Sequence, residues 1–408
     1  MLAPKLRFKE FATEWQQARL SELVLKITDG THDTPIVQKQ GIPFLTAINV
    51  KDGYIDYDNI GYVDEVTHKK IFERCNPEKD DLLIVNIGAG TATCARNIVD
   101  YPFSLKNVAL IKPNINLLNP KFLEQIQRKN AKKLFSTLTS GGAQPFLSLK
   151  EIGKFVINYS SVEEQTKIAS FLSAVDEKIS QLTQKYQLLS QYKQGMMQKL
   201  FSQQLRFKAD DGSEFGEWED KKLGEIASKV GSGSTPRGGA EAYVDSGIIF
   251  IRSQNVNNDQ LLLEDVVFIP ENTHQKMAGS KVIANDILLN ITGASIGRSC
   301  VVPKNFTEGN ANQHVCIIRT PNDEPKFIQA FLSSKNGQDL IESYQTGSGR
   351  EGLNFQSIRS FDLSMPCLEE QTKIANFLSA IDQKIEVVAQ QIEQAKTWKK
   401  GLLQQMFV

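Results

Sequence analysis

The 408-residue chain has no net charge: 47 Lys and Arg balance 47 Asp and Glu. A protein built chiefly to grip phosphate is basic, so any nucleic-acid surface here is a local patch or is completed by another subunit. No apolar run approaches the ~18 residues of a membrane span, and the N-terminus has no signal-peptide pattern. The cysteines (Cys75, Cys94, Cys300, Cys316, Cys367) are scattered, odd in number and form no C-x-x-C. That argues against a disulfide framework or a zinc site and fits a reducing cytoplasm. Catalytic motifs are scarce as well. There is no G-x-x-x-x-G-K-[ST]; Gly231–Gly239 is glycine-rich but lacks the lysine, and Gly88-Ala89-Gly90 is a lone G-x-G. The N-P-P-aromatic tetrapeptide of amino-methyltransferases is missing. The histidines (His32, His68, His274, His314) show no ligand spacing. His68 and His274 sit at matching places in the two halves and read as structural. No metal is expected.

What the chain does have is a repeat. Glu163–Ser180 recurs as Glu369–Glu386, with 14 of 18 positions identical at an offset of 369 − 163 = 206 residues. Each copy opens a long helical stretch free of proline. In the first, Ile168, Val175, Leu182, Leu189 and Met196 form one apolar row, and Leu172, Ile179, Tyr186 and Leu200 the other, interrupted by Lys193. In the second, Ile374, Ile381, Val388, Ala395 and Leu402 face Leu378, Ile385, Ile392 and Met406, interrupted by Lys399. Alternating spacings of three and four over about four heptads make a coiled-coil seam. About 40 residues at 1.5 Å each give a rod of roughly 60 Å. Its partner is either a second copy of the chain or the other helix of the same chain, the latter being cheap in loop-closure entropy. Ser161-x-x-Glu164 reads as a capping box.

A second repeat precedes each globular segment. Leu6-Arg7-Phe8-Lys9 with Glu14-Trp15 returns as Leu205-Arg206-Phe207-Lys208 with Glu217-Trp218. The end of the chain would therefore feed into its own beginning, a cyclic arrangement of globule, helix, globule, helix. The expected boundaries are 1–160, 161–204, 205–366 and 367–408. Each globule alternates short β-rich runs with Gly, Asn and Asp turns and carries one helical run, Pro120–Leu138 or Pro325–Tyr344. Both read as mixed α/β (α+β) domains.

The globules offer polar, glycine-rich loops beside their strands. Arg reads guanine edges, Asn and Gln read adenine, and Ser, Thr and backbone N–H groups suit phosphate. In the first globule the candidates are Thr31 and His32, then Asn86, Thr91 and Arg96, then Gln144. In the second they are Ser234, Thr235 and Arg237; Arg252; Thr292, Ser295 and Arg298; Asn312 and Gln313; and Ser348, Arg350 and Asn354. The helix-pair interface is expected at Ile168, Leu172, Val175, Ile179, Leu182 and Leu189, and at Ile374, Leu378, Ile381, Ile385, Val388 and Ile392.

The L-R-F…W…L-[GS]-E-[IL] start, the E-E-Q-T-K-I-A-x-F-L-S-A-[VI]-D-x-K-I helix and the later K-x-G-[ML]-[ML]-Q-[KQ] run resemble the specificity subunit of type I restriction-modification systems. The resemblance covers essentially the whole chain. It implies two target recognition domains, each binding one half of a bipartite, asymmetric double-stranded DNA site, with two antiparallel helices fixing the unread spacer. It also implies that the subunit is not itself catalytic. It would dock two methyltransferase subunits using S-adenosylmethionine and two restriction (nuclease/translocase) subunits using ATP and Mg. Two other readings are a self-sufficient DNA methyltransferase or nuclease, and a coiled-coil scaffold with no DNA role.

Overall fold

The computed structural model describes residues 3–88, 90–139, 146–257, 259–345 and 352–407. Two compact units emerge: Met1–Thr183 with Gln390–Val408, and Gln184–Ala389. The two long helices, Val162–Phe201 and Leu368–Met406, each give one half to each unit.

In the first unit a four-stranded antiparallel sheet runs in the order Val24–Asp29, Val108–Pro113, Leu82–Val85, Cys94–Arg96. A three-stranded sheet, Gly61–Val63, Ile42–Thr46 and Ser104–Lys106, includes one parallel pair. Successive side chains of a strand point to opposite faces. Accordingly Leu83 and Val85 pack with Phe44, Leu45 and Leu105, while Leu82 and Ile84 pack with Phe122, Leu123, Ile168 and Leu172. Both faces are covered, which is why Leu82–Val85 is an unbroken apolar run. The second unit repeats the order with Lys229–Ser232, Val315–Arg319, Ile287–Asn290 and Ser299–Val301. Ile287 and Leu289 face the helices there, and Leu288 faces the other core. Its second sheet is Val267–Ile269, Ile248–Ile251, Gly309–Ala311 and Lys281–Val282.

The repeated motifs tie globule to helix. In the first unit Arg7 donates twice to the buried Glu164, at 2.7 Å from both Nε and Nη2. In the second, Arg206 does the same to Glu370, joined by the Trp218 indole at 3.1 Å. The following glutamines accept from the backbone before the next helix, Gln165 from Asn119 and Gln371 from Glu324. Glu164 therefore does not close a capping box. Its N–H reaches Ser161 Oγ at 3.4 Å, but its carboxylate is committed to Arg7.

Within each unit the helix halves run antiparallel. Phe171 meets Trp398 edge-on at 6.0 Å, and Lys399 bonds Asp176 at 2.5 Å; in the second unit Lys193 bonds Asp382 at 2.7 Å. Ile168, Leu172, Val175, Leu182, Ile374, Leu378, Ile381, Val388 and Ile392 are buried, whereas Ile179, Leu189 and Ile385 are half-buried. Tyr186 is exposed, and Met197 rather than Met196 is buried. The departure is local, because Leu200, Leu402 and Met406, at the ends of the same rows, are buried.

The chain's end meets its start as expected. Leu6 N–H donates to Gln405 O at 2.9 Å, as Leu205 N–H donates to Lys199 O at 3.1 Å within the continuous chain. Phe407 is buried in the same cluster as Phe122. The second globule's helical run is broken, however: Pro325–Ser333 and Lys335–Ser343 are separate helices. Ser334 is extended and caps the latter through Gly337 N–H, where a Cβ would lie 2.1 Å from Phe331 O. The Ser334 hydroxyl supplies an acceptor for one of the free N–H groups at the start of the second helix.

Candidate nucleic-acid interface

One glycine in each unit builds the same loop crossing. A Cβ on Gly233 would lie 1.8 Å from Ala311 O, and one on Gly30 would lie 2.0 Å from Leu105 O, so only glycine lets the chain pass. Gly233 N–H donates to Val315 O and Ser234 N–H to Ala311 O, both at 3.0 Å. Gly30 N–H donates to Val108 O at 3.1 Å and Thr31 N–H to Leu105 O at 2.8 Å. The crossing brings the loop after the first sheet strand onto the loop that enters the long central strand.

In the second unit it makes a continuous polar strip. Thr235 Oγ1 hydrogen-bonds Gln313 Oε1, the Gln313 amide meets His314 Nε2 at 3.1 Å, and His314 Nδ1 meets Thr292 Oγ1 at 2.6 Å. The network assigns the ring proton to Nδ1, donating to Thr292, whose own hydroxyl proton is left to point elsewhere. Asn312 accepts from His314 N–H at 3.0 Å and shapes the turn. Ser234, Thr235, Arg237, Gln313 and Arg298 are exposed, while Asn312, Thr292 and Ser295 are half-buried. Arg298 reaches Asn257 Oδ1 at 3.2 Å. Such a strip carries both donors and acceptors, the chemistry that readout of base edges uses.

The first unit places different side chains in the same frame. His32 lies between Asp29 Oδ2 at 2.9 Å and Asn107 Oδ1 at 3.2 Å, and Arg74 pairs with Asp29. Lys106 bonds Thr34 across the crossing. Thr31 is half-buried and its hydroxyl accepts from Asp33 N–H.

Several expected contacts do not survive. Asn86 and Thr91 are almost fully buried. Thr91 donates to Gly88 O at 2.7 Å, in a tight turn where Ala92 adopts φ 75°. Arg96 turns inward to Asp80 and lies 4.0 Å from Glu124. Asn86 and Thr91 thus close the hairpin between Leu82–Val85 and Cys94–Arg96 away from solvent, and the half-buried Arg96 is committed to Asp80. Arg252 is half-buried and bonds Asp265 O at 3.3 Å, so it braces a loop. Asn354 is exposed but caps the short helix Phe355–Arg359 through Ser357 N–H at 2.8 Å. Gln144, Ser348 and Arg350 lie outside the described residues.

Asn107 and Asn257 are not among the candidates the sequence offers, and His314 is there only as the end of the polar loop Asn310–His314. Their signal was positional: each lies at a strand end or turn, and Asn107 and His314 immediately precede the Val that starts the long central strand. No described helix is long and apolar enough to cross a membrane.

Comparison with known proteins places this architecture. The model of the type I restriction modification DNA specificity domain matches twice, over residues 13–191 and 216–397. A putative type I restriction enzyme MjaX specificity subunit from Methanocaldococcus jannaschii is 23% identical over 98% of this chain and 94% of its own. The MjaVIII specificity subunit from the same organism is 26% identical over 65% of this chain and 64% of its own. The crystal structure of a type I restriction-modification S subunit from M. genitalium has the same fold. Its TM-score is 0.63 at 15% identity, covering 100% of this chain and 99% of that one. With two copies of that domain spanning most of its length, this chain belongs to the type I restriction-modification DNA specificity family.

Proposed function

We infer that the chain is the sequence-specific DNA-recognition subunit of a type I restriction-modification complex and reads a bipartite, asymmetric site. The observation that carries this is one loop crossing built twice with different side chains. His32 and Asn107 stand in the first unit where Thr235, Gln313 and His314 stand in the second. Equal frames with unequal readers suit two unlike half-sites, and the long helices suit the setting of the unread spacer. The DNA-facing residues on this reading are Thr31, His32, Asn107 and Lys106 in one unit, and Ser234, Thr235, Arg237, Thr292, Ser295, Arg298, Asn312, Gln313 and His314 in the other.

The subunit is non-catalytic on this reading and acts in the cytoplasm. It directs two methyltransferase subunits, which supply S-adenosylmethionine chemistry, and two restriction subunits, which supply ATP and Mg chemistry. The test is a methylome. The chain is co-expressed with its methyltransferase subunit in a methylation-free host, and modified adenine is mapped across the genome. A two-part motif with a fixed gap is the expected result. Methylation or cleavage by the purified chain alone would overturn the non-catalytic reading. Co-purification of the two proteins without a bipartite motif would overturn the recognition reading.

A further inference from the structure

The two lysines that interrupt the helix seams leave them for a purpose. Lys193 carries a side chain only 13% exposed and reaches Asp382 Oδ1 on the second long helix at 2.7 Å and Asp259 Oδ2 at 3.1 Å. Asp259 lies at the tip of the hairpin formed by Val256–Asn257 and Gln260–Leu261, in the left-handed region at φ 62°. Its other oxygen accepts from Gln329 at 2.9 Å and Ser333 at 2.6 Å. Gln329 also bonds Ser299, the neighbour of Arg298, and Asp259 bridges to Cys300 in the same strand. The hairpin's Asn257 holds Arg298. A short polar path thus runs from the helix pair to an exposed arginine on the recognition face.

We propose that Lys193 is a positioning residue: it latches the Asp259 hairpin to the helix pair and thereby sets where Arg298 meets the half-site read by the second unit. The proposal rests on the reading of Arg298 as a DNA contact.

The first unit carries the matching device in a different form. Lys399 bonds Asp176, the repeat mate of Asp382, and Arg128 spans Asp176 at 3.1 Å and the hairpin-tip Asp52 at 2.7 Å. Two cations serve two carboxylates there. In the second unit Ser333 occupies the place of Arg128, counted from Pro120 and Pro325, and a cavity of about 410 Å³ lies beside Lys193. Lys193 is the single cation bonded to both carboxylates among the described residues, so the second latch depends on it more than the first depends on Lys399. Burial works against its charge, but Asp259 and Asp382 together outweigh that and hold the ammonium charged.

The test uses the complex with its methyltransferase subunit and scores methylation of oligonucleotides with single substitutions in either half-site. Arg298→Ala first identifies the half that depends on the second unit. Lys193→Met should relax discrimination in that half alone, by roughly 2- to 30-fold, the range open to a residue acting through its neighbours. Lys193→Arg should restore it, and Lys399→Met should have a smaller effect on the other half. Asp259→Asn removes the hairpin end of the latch by a second route and should reproduce the Lys193→Met pattern if that variant folds poorly. If Arg298→Ala relaxes one half but Lys193→Met and Asp259→Asn leave it intact, the latch is refuted while the DNA contact stands. If Arg298→Ala alters neither half, the contact and the latch fall together. Equal loss in both halves, with a lowered melting temperature, would show general destabilisation and also refute the latch.

Discussion

The strap between Arg206 and Glu370 is the place where one substitution should cost most. The Glu370 side chain is fully buried, and its carboxylate accepts two bonds from Arg206, whose side chain is 20% exposed, and one from Trp218 Nε1. Glu370→Ala leaves a largely buried guanidinium and an indole N–H without that acceptor. Removing one member of a buried pair costs about 3–5 kcal/mol, because the desolvated partner charge stays behind. In a unit of about 200 residues each kcal/mol moves the melting temperature by about 2–4 °C, so the loss is on the order of 6–20 °C. The first unit provides an internal control. Glu164 holds Arg7 in the same way, but Trp15 Nε1 has no partner among the described residues, so Glu164→Ala orphans one donor fewer. It should cost less by one charge-assisted hydrogen bond, about 1.5–3 kcal/mol. Urea titration gives the free energies. Hydrogen exchange over residues 205–222 and 368–374 localises the loss. A cost below about 1 kcal/mol for Glu370→Ala, set against the buried-pair range, or a larger one for Glu164→Ala, would refute the reasoning.

Gly233→Ala should separate the crossing loops, since its Cβ would fall 1.8 Å from Ala311 O. The expected loss is about 1–3 kcal/mol with weaker DNA binding by the complex, and an unchanged urea midpoint would count against it. Leu182→Asp puts a charge at a buried seam position and should lower helicity and melting temperature together; a variant as helical and as stable as the parent would remove Leu182 from the seam. The two mated aspartates should titrate in opposite directions. Burial alone would raise Asp176, but Arg128 and Lys399 outweigh it and its pKa falls below 3.8; burial of Asp382 outweighs Lys193 and its pKa rises above 3.8. The stability that Asp176 contributes is present above pH 3.8 and is lost as pH falls through its lower folded value. The ionisation of Asp382 is a cost that disappears as pH falls through its higher folded value. Carboxyl-carbon NMR should find Asp382 protonating first on acidification, and the reverse order would refute the assignment.

The scaffold was legible because it is written twice. Identical positions in Glu163–Ser180 and Glu369–Glu386 announced paired helices, and seven-residue rows named most of the buried seam. The rows depart from the structure at Tyr186, which is exposed, and at Met196, whose neighbour Met197 packs into the second globule's core instead; Leu200, Leu402 and Met406 beyond them keep their register. Composition marked the loops but could not tell which way a loop folds. Asn86, Thr91 and Arg96 have the chemistry of readers, yet a hairpin turn with Ala92 in the left-handed region carries the first two inside, and Arg96 is taken up by Asp80. The decisive residues of the crossing, Gly30 and Gly233, have no side chain to announce a role. Only the carbonyls of Leu105 and Ala311, about 75 positions away, show why glycine is required.

Long-range ion pairs are invisible to periodicity for the same reason. Arg7 and Glu164 stand 157 residues apart, and Arg206 and Glu370 stand 164 apart, although each arginine and each glutamate lies in a repeated motif. A repeat shows that two residues serve a common task in both copies; it does not show that they serve it together. Lys193 and Lys399 make the point most sharply. Along one helix each is a fault in an apolar row, and a seam built for stability alone would carry leucine there. Each copy keeps the lysine, and each lysine reaches an aspartate on the opposite helix, in the second unit together with one from the globule. A fault that recurs at the same place with the same partner chemistry is better explained by what it connects than by what it interrupts.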